Sequence, residues 1–140
     1  MALQVSHAQV YAADIEDRPG SMAEKLRALA EAGANLDFVV SRRTGDEGGA
    51  VLFVSPLQSD AAVEAAQVAG FSVAEGLRGL RVEGPDAPGL AAGVTGALAD
   101  AGINVRGVSA AAIDGKMVCY VSFDSDADAG KAAEVLTNLK

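Results

Sequence analysis

The sequence has no tryptophan, one cysteine, one histidine and four prolines in 140 residues. A lone cysteine, Cys119, excludes an internal disulfide and a thiolate metal cluster. Set in the apolar run Val118-Cys119-Tyr120-Val121, it reads as a packing residue rather than a reactive thiol. The single histidine, His7, has no Ser or Cys pattern beside it and so lacks the partners a catalytic base needs. Aromatics make up 4% of the chain, too few for a platform that stacks bases. Positive charge is scarce as well. Eleven Lys and Arg stand against 19 Asp and Glu, for a net charge of −8, which argues against a nucleic-acid surface or an anionic membrane. The densest basic spot, Arg42-Arg43, reads as a solvated hairpin end. No apolar stretch reaches transmembrane length, and Met1-Ala2-Leu3-Gln4 lacks the basic region of a secretory signal. The expectation is a soluble cytoplasmic protein with no metal and no cofactor.

What the chain does have is a repeat. Asp17-Arg18-Pro19-Gly20 returns as Asp86-Ala87-Pro88-Gly89, and the same offset superposes Leu29 on Leu98, Gly33 on Gly102, Asn35 on Asn104 and Val39 on Val108. The spaced set Asp-x-Pro-Gly, Leu, Gly-x-Asn marks a duplicated small domain. The expected units are 1–77 and 78–140. Units this small bury a modest fraction of their surface and lean on each other or on a second chain.

Each unit reads strand, helix, strand, strand, helix. In the first, Val10–Ile15 is a strand ending at the Asp17 turn. The next helix carries Met22, Leu26, Leu29 and Ala30 on one face, with Ser21 and Glu24 spaced as a capping box and Gly33 as its stop. Leu36 to Ser41 and Val51 to Val54 flank a hairpin loop at Thr44–Gly49. A helix from Asp60 to Ala69, with Val63 and Ala66 inward, precedes a fourth strand at Phe71–Val73. In the second unit, Leu80–Val82 is a strand, Leu90, Val94 and Leu98 stripe a helix, Asn104–Ser109 is a strand, and Asp114-Gly115 signals a tight hairpin. The last helix turns Ala132, Val135, Leu136 and Leu139 inward, and no fourth strand follows. Asp124, Asp126 and Asp128 fit capping of that helix better than a calcium loop, whose Gly and terminal Glu are out of place.

The expected fold is α+β. Two ferredoxin-like βαββαβ units lie side by side, each with strand order 4-1-3-2 and both helices on one face of an antiparallel sheet. The missing strand leaves the first strand of the second unit uncovered, to be covered by a partner chain or by Ala2–Ser6. At the repeated turn, Pro suits the first turn of a helix and Gly allows a sharp bend. Free amides at the helix start attract a carboxylate, and an asparagine adds donors and an acceptor. With the turn and the start of the second strand close together at the seam between units, these groups suit a small zwitterion. The same residues also serve as a bare strand-to-helix turn and helix stop, although the repetition of Asn rather than Asp or Ser favours ligand contact.

Both copies resemble ACT domains, small regulatory modules that bind amino acids and related metabolites. The D-x-P-G…L…A-G-x-N-[LIV] signature covers the first half of each unit. The resemblance implies paired second strands, a homodimer, and ligands held at the interface. Carried over by position, it implies binding by Arg18, Pro19, Gly20, Ser21, Asn35 and Leu36, and by Ala87, Pro88, Gly89, Leu90, Asn104 and Val105. The second set departs from the first, with Leu90 in place of Ser21 and Gly93 and Gly96 inside its helix. Asp37 and Arg106 hold equivalent positions, so paired second strands would bring opposite charges together; the alternative is two unrelated solvent-facing side chains. The resulting expectation is a non-catalytic regulatory protein that binds a small amino acid and signals to an enzyme or regulator by a change of conformation or assembly. An interaction module that works without ligand through its sheet edges is the alternative. No nucleophile–base pair supports an enzyme.

Overall fold

The computed structural model describes residues 2–45 and 48–139. Its elements are β1 (Gln4–Glu16), α1 (Ser21–Glu31), β2 (Phe38–Arg43), β3 (Gly49–Ser55), α2 (Asp60–Val68), β4 (Ser72–Pro85), α3 (Leu90–Asp100), β5 (Val105–Ile113), β6 (Lys116–Phe123) and α4 (Asp126–Thr137). Asp46 and Glu47 of the expected hairpin loop lie outside the described residues.

The chain divides into two compact units, Gln9–Ala74 and Met1–Ala8 with Glu75–Lys140. They are called here the first and second copy. Two strands are longer than their sequence signals. β1 runs well beyond Val10–Ile15, and one strand, β4, starts at Ser72 within the expected strand Phe71–Val73 and runs on through Leu80–Val82. Each of these long strands therefore contributes residues to both copies.

In the first copy the strand order is β2-β3-β1-β4, the expected ferredoxin-like arrangement. β3 pairs antiparallel with both neighbours, with Val54 opposite Tyr11 on one side and Val39 on the other. Tyr11, Ala13, Leu52 and Val54 turn one sheet face onto Leu29 of α1 and Ala66 of α2, and with Phe71 they form the core. The helix face differs from the expected stripe. Leu29 is fully buried and Leu26 is half-buried, but Met22 and Ala30 are exposed.

In the second copy the order is β1-β4-β6-β5, with the start of β1 in the place of the missing fourth strand. Of the two candidates for covering β4, the N-terminal segment is the one found. Alternation explains how one strand serves twice. The odd-numbered Leu3 and Val5 pack against the second core, and the odd-numbered Tyr11, Ala13 and Ile15 against the first. The second core joins Leu80 and Val82 with Val94, Leu98, Val121, Phe123, Ala132 and Leu136. Gly79 is held there by close approach: a Cβ would lie 2.3 Å from the carbonyl oxygen of Val121.

β2 and β5 end the strand orders of their copies. The expected pairing of these two strands within the chain, with Asp37 meeting Arg106, is therefore corrected: among the described residues each is an edge strand of its own copy. An edge strand is where a further strand can add.

Candidate ligand-binding turns

The two Asp-x-Pro-Gly segments fold into the same turn. The Asp17 amide donates to the Gly48 carbonyl at 2.9 Å, as the Asp86 amide does to Gly115. The helix then starts on a left-handed glycine, Gly20 at φ 88° or Gly89 at φ 86°. An L side chain at that φ is strained, so the turn requires glycine.

These helix starts differ from the other two. Ser59 and Ser125 cap α2 and α4, their hydroxyls accepting from the amides of Ala62 and Asp128. Asp126 and Asp128 add negative charge in the first turn of α4, which compensates the helix dipole, while the cap itself is Ser125 rather than an aspartate. At α1 and α3 the cap is glycine and no side chain accepts from the first turn. The capping box expected from Ser21 and Glu24 is thus not formed, because Ser21 lies one position past the cap. Its buried hydroxyl donates back to the Glu16 carbonyl at 2.5 Å, and Glu24 faces Arg18. A helix start with no side-chain cap presents amides with no intrahelical partner, in the field of the helix dipole, to whatever anion arrives.

Around this shared frame the copies diverge. In the first, the Arg18 guanidinium donates to Glu16 at 2.7 Å, to Glu24 at 3.2 Å and to the Pro19 carbonyl at 3.2 Å. Its hydrogen bonds to the Glu16 and Glu24 carboxylates push its pKa further up, so it stays charged. Arg43 meets Asp17 at 2.8 Å, so the basic hairpin end is an ion-pair partner of the turn. In the second copy, Ala87, Pro85 and Gly93 stand where Arg18, Glu16 and Glu24 do, and no such clamp can form. Leu90 replaces Ser21 and is buried; its equivalent neighbour is Gly84 where the first copy has Ile15. Leu90 Cδ2 lies 3.4 Å from the point where a Cβ on Gly84 would be, and Leu3 fills the remaining space. The large and small side chains have changed places.

The asparagines are elsewhere. Asn35 and Asn104, both exposed, follow the glycine stops of α1 and α3. Those stops are Schellman turns, with Gly33 and Ala34 donating to Ala30 and Leu29, and Gly102 and Ile103 to Ala99 and Leu98. Eleven residues of helix separate each turn from its asparagine, about 16 Å at 1.5 Å per residue. The expectation that the turn and the start of the second strand lie close together is corrected within each copy. β1 and β2 run parallel on either side of β3, so the turn after β1 and the entry to β2 fall at opposite ends of the sheet. Leu36 and Val105 are half-buried against their own cores.

Glu16 and Arg43 were not among the sequence candidates. The Glu16-x-Arg18 spacing before the turn signals the first; Arg43 is brought by strand pairing and has no local signal. His7 is exposed on β1, and Cys119 is buried, which pushes its thiol pKa up. Among the described residues no group of three or more His, Cys, Asp or Glu is placed to hold a metal ion, and no helix is long and apolar enough to cross a membrane.

Two βαββ frames with matching turns define a tandem repeat of one α+β domain. The ACT domain family matches residues 13–67 and 79–140, and the chain belongs to that family. Among solved structures, it is similar to the ligand-free regulatory subunit of aspartate kinase from Thermus thermophilus, with TM-score 0.67 and 20% identity over 99% of this chain and 97% of that one. Protein BT0572 from Bacteroides thetaiotaomicron aligns with TM-score 0.74 and 20% identity over 96% and 88%. The fold also matches 32% of the chain of Escherichia coli aspartokinase III, solved with aspartate and ADP, with TM-score 0.57 and 20% identity over 96% of this chain. No match is found among the curated proteins.

Proposed function

We propose that this chain is a cytoplasmic regulatory module that binds a small amino acid or a related zwitterionic metabolite and passes the bound state to a partner enzyme. The observation that carries the reading is the contrast between helix starts. α2 and α4 have serine caps, whereas α1 and α3, which follow the repeated turns, have glycine caps and no side-chain acceptor. A carboxylate suits those amides, and glycine leaves room for the backbone of an amino acid. Arg18 to Ser21 and Ala87 to Leu90 are the proposed turn contacts. Asn35 with Leu36 and Asn104 with Val105 are the proposed contacts at the strand entry. Within one copy the turn and the asparagine lie at opposite ends of the helix, so the two sets of contacts are proposed separately.

In this reading the chain does no chemistry of its own. Ligand binding shifts a population of conformations or assemblies that the partner distinguishes. The names of the structural neighbours point to a kinase that phosphorylates an amino acid as the partner class.

A thermal-shift panel of the free amino acids and a few purines tests the proposal. A ligand at a hundred times its Kd raises stability by about 2.7 kcal/mol. If none of them shifts the melting temperature, the ligand-binding reading fails. If a ligand is found and Asn35→Ala binds it unchanged, the site assignment fails while the function stands.

A further inference from the structure

Each copy packs both of its helices on one face of its sheet, and the opposite faces have diverged. In the first copy the middle row across that face is Ala12, Phe53 and Val40, on β1, β3 and β2. The equivalent row of the second copy is Arg81, Tyr120 and Ser109, on β4, β6 and β5. All three positions differ by a gained polar group. One row on, the first copy has Val10 and Phe38 with Ser55, and the second has Gly79 and Gly107 with Ser122. The serine is common to both, and the second copy lacks both large apolar side chains. Its polar row therefore borders a row of nearly bare backbone.

Glu83 lies on the same face, and its carboxylate receives Arg81 on one oxygen at 2.9 Å and Lys116 on the other at 3.2 Å. Two cations share one anion, which leaves a positive charge over in a chain of net charge −8. The Arg81 guanidinium is also short of a partner. Its Nε is buried and donates to no described residue, although the side chain as a whole is 33% exposed. A buried donor without an acceptor is costly and calls for an explanation. We propose that this face of the second copy binds a small carboxylate with an oxo or hydroxyl oxygen on the carbon beside the carboxyl group. Arg81 takes the carboxylate, turning its Nε out to form the two-donor fork a guanidinium makes with such a group. The hydroxyls of Tyr120 and Ser109 meet the neighbouring oxygen, and Gly79 and Gly107 leave room for the carbon chain. An α-amino acid is refused, because each oxygen of Glu83 already holds a cation and none is left for an ammonium. This site differs from the turns in place and in ligand, and it stands without them.

Pyruvate, lactate and L-alanine are close in size and differ at the group beside the carboxyl, so together they test the assignment. One readout is the Nε–H signal of Arg81 in heteronuclear NMR of the whole chain, assigned by its loss in Arg81→Ala. Pyruvate and lactate should shift it to saturation, and L-alanine at the same concentration should leave it in place. The second readout is the emission of Tyr120 in a Tyr11→Phe background, since the chain has two tyrosines and no tryptophan. Arg81→Ala and Ser109→Val each restore the residue of the first copy and should keep the circular dichroism of the wild type. By Tyr120 emission, Arg81→Ala should weaken pyruvate binding by about tenfold or more, and Ser109→Val should weaken it less. No shift with pyruvate or lactate, an equal shift with L-alanine or inorganic phosphate, or unchanged affinity in either variant would each overturn the proposal.

Discussion

At equivalent positions the first copy has Ile15, Glu16, Arg18, Ser21 and Glu24, and the second has Gly84, Pro85, Ala87, Leu90 and Gly93. The backbone of the turn is the same in both, down to the amide of the aspartate and the left-handed glycine. What holds it differs. The first copy ties the turn with a buried hydroxyl, a charged clamp and the Asp17–Arg43 pair. The second wedges it with one leucine seated where a glycine has made room. Turn geometry is therefore dictated by the Pro-Gly pair and hairpin glycine, and the remaining positions are free to supply stability by either route. The helix pairs show the same exchange. In the first copy Lys25 of α1 donates to the Ala69 carbonyl at the end of α2, whereas in the second Lys131 of α4 donates to Ala101 at the end of α3.

The largest test of this contrast removes what the second copy borrows. Deleting residues 2–8 strips β4 of its neighbour and exposes the site of Leu3 and Val5. Hydrogen exchange should show loss of protection across 79–139 while 9–74 stays slower to exchange; the opposite order would break the comparison. Next, Leu90→Ala should cost about 2–5 kcal/mol, as a buried leucine does, and Ser21→Ala at the same position about 1 kcal/mol for its lost hydrogen bond. Equal costs in denaturant unfolding would show that the two turns are held alike after all. Gly79→Val, which gives the second copy the residue found at Val10, should cost about 1–3 kcal/mol through overpacking against the Val121 carbonyl.

The smallest effect is electrostatic and belongs to the second copy alone. Glu83 accepts from Arg81 at 2.9 Å and faces Lys116 at 3.2 Å, and these cations hold its carboxyl below the usual range. A depressed carboxyl pKa adds stability that is complete above the unfolded-state pKa of about 4.3 and is lost as pH falls through the folded value. Melting temperature should therefore fall more steeply below that pH in the wild type than in Glu83→Gln. Identical slopes would remove Glu83 as a contributor.

Much of the fold was readable because its signals are local. Leu90, Val94 and Leu98 striped α3 as expected, and all are buried; Gly33 and Gly102 stopped their helices in the left-handed conformation. The failures arose where a residue's role is set from a distance. Ser21 and Glu24 have capping-box spacing, but Gly20 takes the cap because the turn bends there. Met22 has the spacing of a core residue, but it is exposed and lies outside the core cluster of its copy. For the site, the turns were legible from their repetition. The separation of each asparagine from its own turn follows from the parallel course of β1 and β2, which no short motif records.

The sharing of β1 and β4 by both copies has a consequence for how such a protein can be taken apart. Cutting the chain at 77/78, where the repeat suggests a boundary, leaves the second half without the strand that begins at Gln4, and the first half with a strand end that has lost its partner. A duplicated pair of domains is ordinarily two modules, each of which can be moved, lost or fused separately. Here the strand that lies beside β4 in the second copy is the start of β1, encoded ahead of the first copy. The heritable module is the pair, and a recombination that moves one copy alone delivers an incomplete fold.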